Sequence, residues 1–111
     1  MRPDYRRLGK AIADARETNA ISAMELAQKL ELSPSFVCDV EKGRTRPSEK
    51  TLGLFAKALD LDREELAAVA GILGETAEKY LRETPEAVAL IRLMAKRRTG
   101  IDQIAKIQRL L

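Results

Sequence analysis

The sequence predicts an all-α protein, a bundle of five short helices followed by a C-terminal helical extension. Three observations carry this. Alanine and leucine dominate, while Tyr5, Phe36, Phe55 and Tyr80 are the whole aromatic set, a balance that favours helix over sheet. Apolar residues recur at spacings of three and four, the period of a helix face. Ser, Thr or Asp stands ahead of most of these segments, where a side-chain oxygen can accept a first-turn N–H.

Asp4 is placed to cap the first helix, whose apolar stripe is Leu8, Ile12 and Ala15. Its other faces carry Arg6, Arg7, Lys10 and Arg16, open to two readings: a solvated face or a phosphate-contacting one. This helix is expected to fail at Thr18 and Asn19, since Asn tolerates the left-handed conformation. Ser22 and Glu25 have the spacing of a capping box and open a second helix with Leu26, Ala27 and Leu30 inward. After Glu31 and Leu32, Ser33 caps a third helix with Pro34 at its first position, where the missing N–H costs nothing. Val37 and Val40 form its inner stripe and Gly43 ends it.

The Arg44–Pro47 link is extended, because a residue before Pro is pushed out of α geometry. Ser48 caps a fourth helix with Leu52, Phe55, Ala56 and Leu59 inward, and Asp62 with Glu65 opens a fifth carrying Leu66, Val69 and Ala70. Gly71 and Gly74 mark its end. Beyond them a helix runs through Tyr80 to Glu83. Thr84 and Pro85 start another over 86–98, with Val88, Ile91, Met94 and Ala95 on one face. Gly100 breaks it ahead of a last amphipathic piece to Leu111.

One cysteine and no histidine leave no intrachain disulfide, no Cys/His zinc site and no imidazole base, so the sequence argues against an enzyme and implies no cofactor. No apolar run approaches the ~20 residues that cross a membrane, which predicts a cytoplasmic protein without a membrane partner. The net charge is +3 but unevenly spread: eight acids against three bases over 60–86, then six bases against one acid from Arg92 onward. Segregation of this kind points to an anionic partner at some faces and not others.

Two short capped helices, the second followed by Gly43 and the Arg44-Thr45-Arg46-Pro47 link, form the specific constellation. Glu25-Leu26-Ala27, Ser33-Pro34-Ser35-Phe36 and Glu41-Lys42-Gly43-Arg44 with Pro47-Ser48 resemble the Xre family, which includes the lambdoid phage repressor and Cro domains. The resemblance spans Tyr5 to Val69. It implies a five-helix lambda-repressor-like DNA-binding domain over 1–72, with its helix-turn-helix at about 22–43, and a C-terminal helical extension over 75–111. It further implies that Ser33, Pro34, Ser35 and Asp39, with Cys38 beside them, face bases in double-stranded DNA. On the same ground Ser22 and Ala23 lie against phosphate, as do Lys42, Arg44, Thr45 and Arg46 in the following loop.

Three departures stand out. Ala23 occupies a position where relatives usually carry Gln, and Glu31 a turn position where they often carry Gly. Asp39 sets a negative charge on the expected DNA face, as an acceptor for cytosine N4 or as an Arg partner turned away from DNA. Phe36 has two readings, a thymine-methyl contact or packing beneath the motif. Cys38 reads as a small residue before it reads as a redox switch.

The C-terminal stripe Leu90, Leu93, Met94, Ile101, Ile104, Ile107, Leu110 and Leu111 is too rich for solvent-facing helices. It either packs back on the domain or joins two copies as a homodimer reading an inverted repeat. The basic cluster Arg92, Lys96, Arg97 and Arg98 is solvated, adds DNA affinity or meets an acidic partner. The resulting expectation is a dimeric repressor acting at its own promoter. The alternatives are an antitoxin that grips both operator and toxin, and a protein-interaction module that keeps the fold without DNA contact.

Overall fold

The structure is a computed structural model and describes residues 4–111. Among these residues there are eight helices and no strand: α1 Arg6–Thr18, α2 Ala23–Leu30, α3 Pro34–Glu41, α4 Glu49–Leu59, α5 Arg63–Val69, α6 Gly74–Glu83, α7 Pro85–Lys96 and α8 Ile101–Leu110. They fall into two compact units, one ending at Leu73 and one spanning Gly74–Leu111.

The first unit holds a single core. Leu8 and Ile12 of α1, Leu26 and Ala27 of α2, Val37 and Val40 of α3, Leu52, Phe55, Ala56 and Leu59 of α4, and Leu66 of α5 are all buried. These are the stripes expected from the sequence; Leu30 and Val69 are only partly buried at its margin. Helices of seven to thirteen residues are marginal alone in water, so the apolar face of each is what keeps it helical. Burying each large side chain contributes about 1.5–3 kcal/mol.

The helix starts follow the local chemistry of the caps. Ser22 Oγ accepts from Glu25 N–H at 3.0 Å while Glu25 Oε1 accepts from Ser22 N–H at 3.3 Å, a complete capping box. Ser33 Oγ accepts from Phe36 N–H at 3.0 Å, Ser48 Oγ from Thr51 N–H at 3.2 Å, and Asp62 Oδ1 from Glu65 N–H at 2.9 Å.

Elsewhere the structure departs from the sequence reading. Tyr5, not Asp4, holds the cap position of α1 and makes no side-chain cap bond; Asp4 serves the first turn from one residue further out, accepting Arg6 N–H at 2.9 Å. Asn19 stays at φ −82°, and Ala20 takes the left-handed geometry at φ 56°. The Asn19 side-chain amide instead donates to Ala15 O and Leu59 O, tying the ends of α1 and α4. Thr84, at φ −131°, ψ 81°, makes no side-chain cap bond, so α7 starts on Pro85 alone. That helix stops at Lys96, two residues early, because Arg98 turns left-handed at φ 50°.

All five helices of the first unit end in the same way. A left-handed residue (Ala20, Glu31, Gly43, Asp60 or Gly71) is followed by one whose N–H returns to the carbonyl five residues back, the 6→1 bond of a Schellman turn. After α1, α2, α4 and α5 that following residue is Ile21, Leu32, Leu61 or Ile72, and each packs against the core. After α3 it is Arg44, which is exposed.

In the second unit α6, α7 and α8 contain no buried residue. Leu90, Leu93, Ile101, Leu110 and Leu111 are exposed, Ile101 at 75% and Leu110 at 86%, while Met94, Ile104 and Ile107 are partly covered.

Candidate nucleic-acid interface

The α2–α3 pair is held rigidly from α1. Gly9 in α1 faces the C-terminal end of α3 so closely that a Cβ there would collide with the carbonyl oxygens of Val40 and Glu41. Gly43, at φ +74°, abuts the backbone of Arg6 in the same manner, so the start of α1 lies beside the loop after α3. Arg16 completes the clamp. Its Nε and Nη2 donate to the two Glu41 carboxylate oxygens at 2.8 and 3.0 Å, and its Nη1 donates to Ile21 O at 2.9 Å. With side chains only 17% and 13% exposed, this bidentate pair works in a reduced dielectric. Arg16 is thus neither a solvated nor a phosphate-facing residue, and the Glu41 bond raises its pKa above the ordinary arginine value.

Against that scaffold the exposed groups can be placed. At the start of α2 the first intrahelical bond runs from Leu26 N–H to Ser22 O, leaving the Ala23 and Met24 N–H groups ahead of it. These form the positive helix end that suits a phosphate oxygen. The Glu25 carboxylate of the capping box sits at the same end and offsets part of that potential. At the start of α3, Pro34 has no N–H and Phe36 N–H is taken by Ser33 Oγ, so Ser35 alone keeps a free backbone donor in that first turn. Ser33, Pro34 and Ser35 are exposed, Cys38 and Asp39 half-buried. Phe36 packs against the core, which favours the structural reading of that ring.

In the following loop Lys42, Arg44 and Arg46 are exposed and Thr45 is half-buried. Arg46 Nη1 donates to Ala70 O at 3.4 Å, which directs one donor to the end of α5. Arg44 Nη1 lies 3.5 Å from Asp39 Oδ1, with side chains 64% and 43% exposed. The acid on the α3 face therefore has a basic neighbour on the next loop. Asp4 is matched similarly by Arg6, whose hydrogen bonds hold its carboxyl well below the ordinary range, at about 2. Among the described residues no cluster of three His, Cys, Asp or Glu side chains is placed to hold a metal ion, and no helix is long and apolar enough to cross a membrane.

Comparison with known proteins adds the family. The helix-turn-helix domain family matches residues 7–69, more than half of the chain. The chain belongs to the helix-turn-helix family. This helix-turn-helix chain is 35% identical over 75 residues to an HTH-type transcriptional regulator of Mycobacterium tuberculosis, covering 68% of its own length and 54% of that protein. It is 37% identical over 59 residues to the ImmF control region 10 kDa protein of Bacillus phage phi105, covering 53% of the chain and 66% of the phage protein. Among solved structures it resembles the restriction-modification controller protein C.AhdI of Aeromonas hydrophila, at 29% identity and a TM-score of 0.53, over 56% of this chain and 94% of that one. The fold is lambda-repressor-like and the family Xre-like, as the motifs implied. The chain spans about half the length of the mycobacterial relative it matches.

Proposed function

We propose that this helix-turn-helix protein is a sequence-specific DNA-binding transcriptional repressor that acts as a homodimer, residues 1–72 on DNA and 75–111 joining two copies. The observation that carries the DNA reading is the presentation of α3. Its N-terminal turn is exposed at Ser33, Pro34 and Ser35, and it is flanked by the free N–H groups of α2 and by Lys42 and Arg44. An eight-residue helix fits the major groove but spans only about 12 Å, so one copy reads few base pairs. Two copies about one DNA turn apart read an inverted repeat.

The uncovered apolar side chains of α7 and α8 support the second copy, because exposed apolar clusters of this kind mark interaction surfaces. The relatives support a regulatory role: one is named as a transcriptional regulator, another as a protein of a phage ImmF control region. The test is a protection footprint on the DNA upstream of the chain's own gene. Two protected half-sites with centres 10–10.5 base pairs apart, or a multiple, are expected. Absence of protection at low salt, with a protein partner recovered in place of DNA, contradicts the reading.

A further inference from the structure

The end of α3 is the exception among five otherwise equivalent helix ends. After α1, α2, α4 and α5 the residue that follows the left-handed position is apolar and anchored on the core as Ile21, Leu32, Leu61 and Ile72. That is the usual companion of a Schellman turn, in which the returning residue touches the last turn of its helix. After α3 the same turn, closed by Arg44 N–H to Asp39 O at 2.9 Å and Gly43 N–H to Val40 O at 3.0 Å, brings together an arginine and an aspartate. The backbone sets them side by side and the side chains meet at 3.5 Å. Water reaches both side chains, Arg44 more than Asp39, and screens the pair, which itself contributes little to stability. Its consequence lies in what the two groups are able to touch.

Resting on the DNA-binding reading above, we propose that Asp39 and Arg44 form a charge-exchange pair that couples base recognition to phosphate contact. Arg44 has two competing anions, the Asp39 carboxylate and a DNA phosphate. Asp39 has two competing donors, Arg44 and an exocyclic base amine in the major groove, cytosine N4 or adenine N6. Where such an amine faces Asp39, it takes over the carboxylate and Arg44 is released to phosphate. Where the base presents only acceptors, as with guanine O6 and N7 or thymine O4, Asp39 keeps Arg44 and one phosphate contact is lost. Discrimination at one base is thereby enlarged by a contact to the backbone.

The experiment is a double-mutant cycle with the full chain, Asp39→Asn and Arg44→Ala alone and combined, on a mixed-sequence duplex across a salt series. One additional phosphate contact adds about 0.9 to the magnitude of the log–log salt slope, so the two copies of a dimer together add about 1.8, or about sixtyfold in affinity near 0.1 M salt. Asp39→Asn is expected to give that gain when Arg44 is present and to give none in the Arg44→Ala background. Sites selected from random duplexes should also lose their preference for one base position with Asp39→Asn. An equal gain in both backgrounds means Asp39 acts only as a repelling charge, and the proposal falls. So does an unchanged slope in both backgrounds when the wild-type chain binds DNA. If the wild-type chain binds no DNA at low salt, the DNA reading fails first and takes the pair with it. Circular dichroism keeps folding separate, since both side chains lie outside the core.

Discussion

Arg16 and Glu41 show how a single ion pair can help to fix one helix against another, here α3 against α1. Twenty-five positions apart in the chain, they meet with bidentate geometry near the crossing of α1 and α3. From sequence Arg16 looks like its neighbours Arg6, Arg7 and Lys10; the partner that distinguishes it is remote and nothing local announces it. Removing one member of a largely buried pair strands the other, so Arg16→Ala should cost about 3 kcal/mol, read as a lower midpoint in urea unfolding. The Asp4 carboxyl offers a different residue-scale check. Held near 2 by Arg6, it contributes stability that is present above its unfolded value of about 3.9 and lost as pH falls through 2. Its NMR titration midpoint should return toward 3.9 in Arg6→Ala; an unshifted midpoint in the wild type contradicts the bond.

At the scale of elements, four helix starts were legible in their caps, whereas three of the helix ends were not. Ser22, Ser33, Ser48 and Asp62 cap where they stand because a cap is chemistry between neighbours three residues apart. Ends depend on a left-handed residue, and only Gly43 and Gly71 advertise that in the sequence. Ala20, Glu31 and Asp60 adopt it because Ile21, Leu32 and Leu61 are drawn onto the core, a tertiary cause. A Cβ at such a position costs about 1 kcal/mol or more, so Glu31→Gly should raise stability by about 1 kcal/mol, measured by thermal melting. Two glycines inside helices should respond with opposite signs. Alanine favours a helix over glycine by about 1 kcal/mol. At Gly53 the nearest obstacle is the movable tip of Arg63, at 3.1 Å, so Gly53→Ala should be neutral or stabilising. At Gly9 the obstacles are backbone carbonyls, the clash outweighs propensity, and Gly9→Ala should destabilise by about 1–3 kcal/mol.

For the whole molecule the two units carry separate predictions. The first has its own core, so a chain ending at Leu73 should fold and remain monomeric by light scattering while the full chain is dimeric. A dimer that survives the truncation would place the interface among α1–α5. The motif and the core were readable from patterning and caps, and so was the richness of the C-terminal stripe. The pairing of Asp39 with Arg44 was only half readable: the sequence offers the acid, the base and Gly43 at the turn between them, but not the return of Arg44 N–H to Asp39 O that brings the two side chains together. The central claim, that this surface engages duplex DNA through phosphate as well as bases, is tested most directly by one titration. Binding of the full chain to a duplex carrying its own upstream sequence should weaken linearly in log–log salt, with a slope magnitude of at least about 3 for a dimer using Lys42 and Arg44 from each copy. A flat dependence, or no binding at about 50 mM salt, would contradict it.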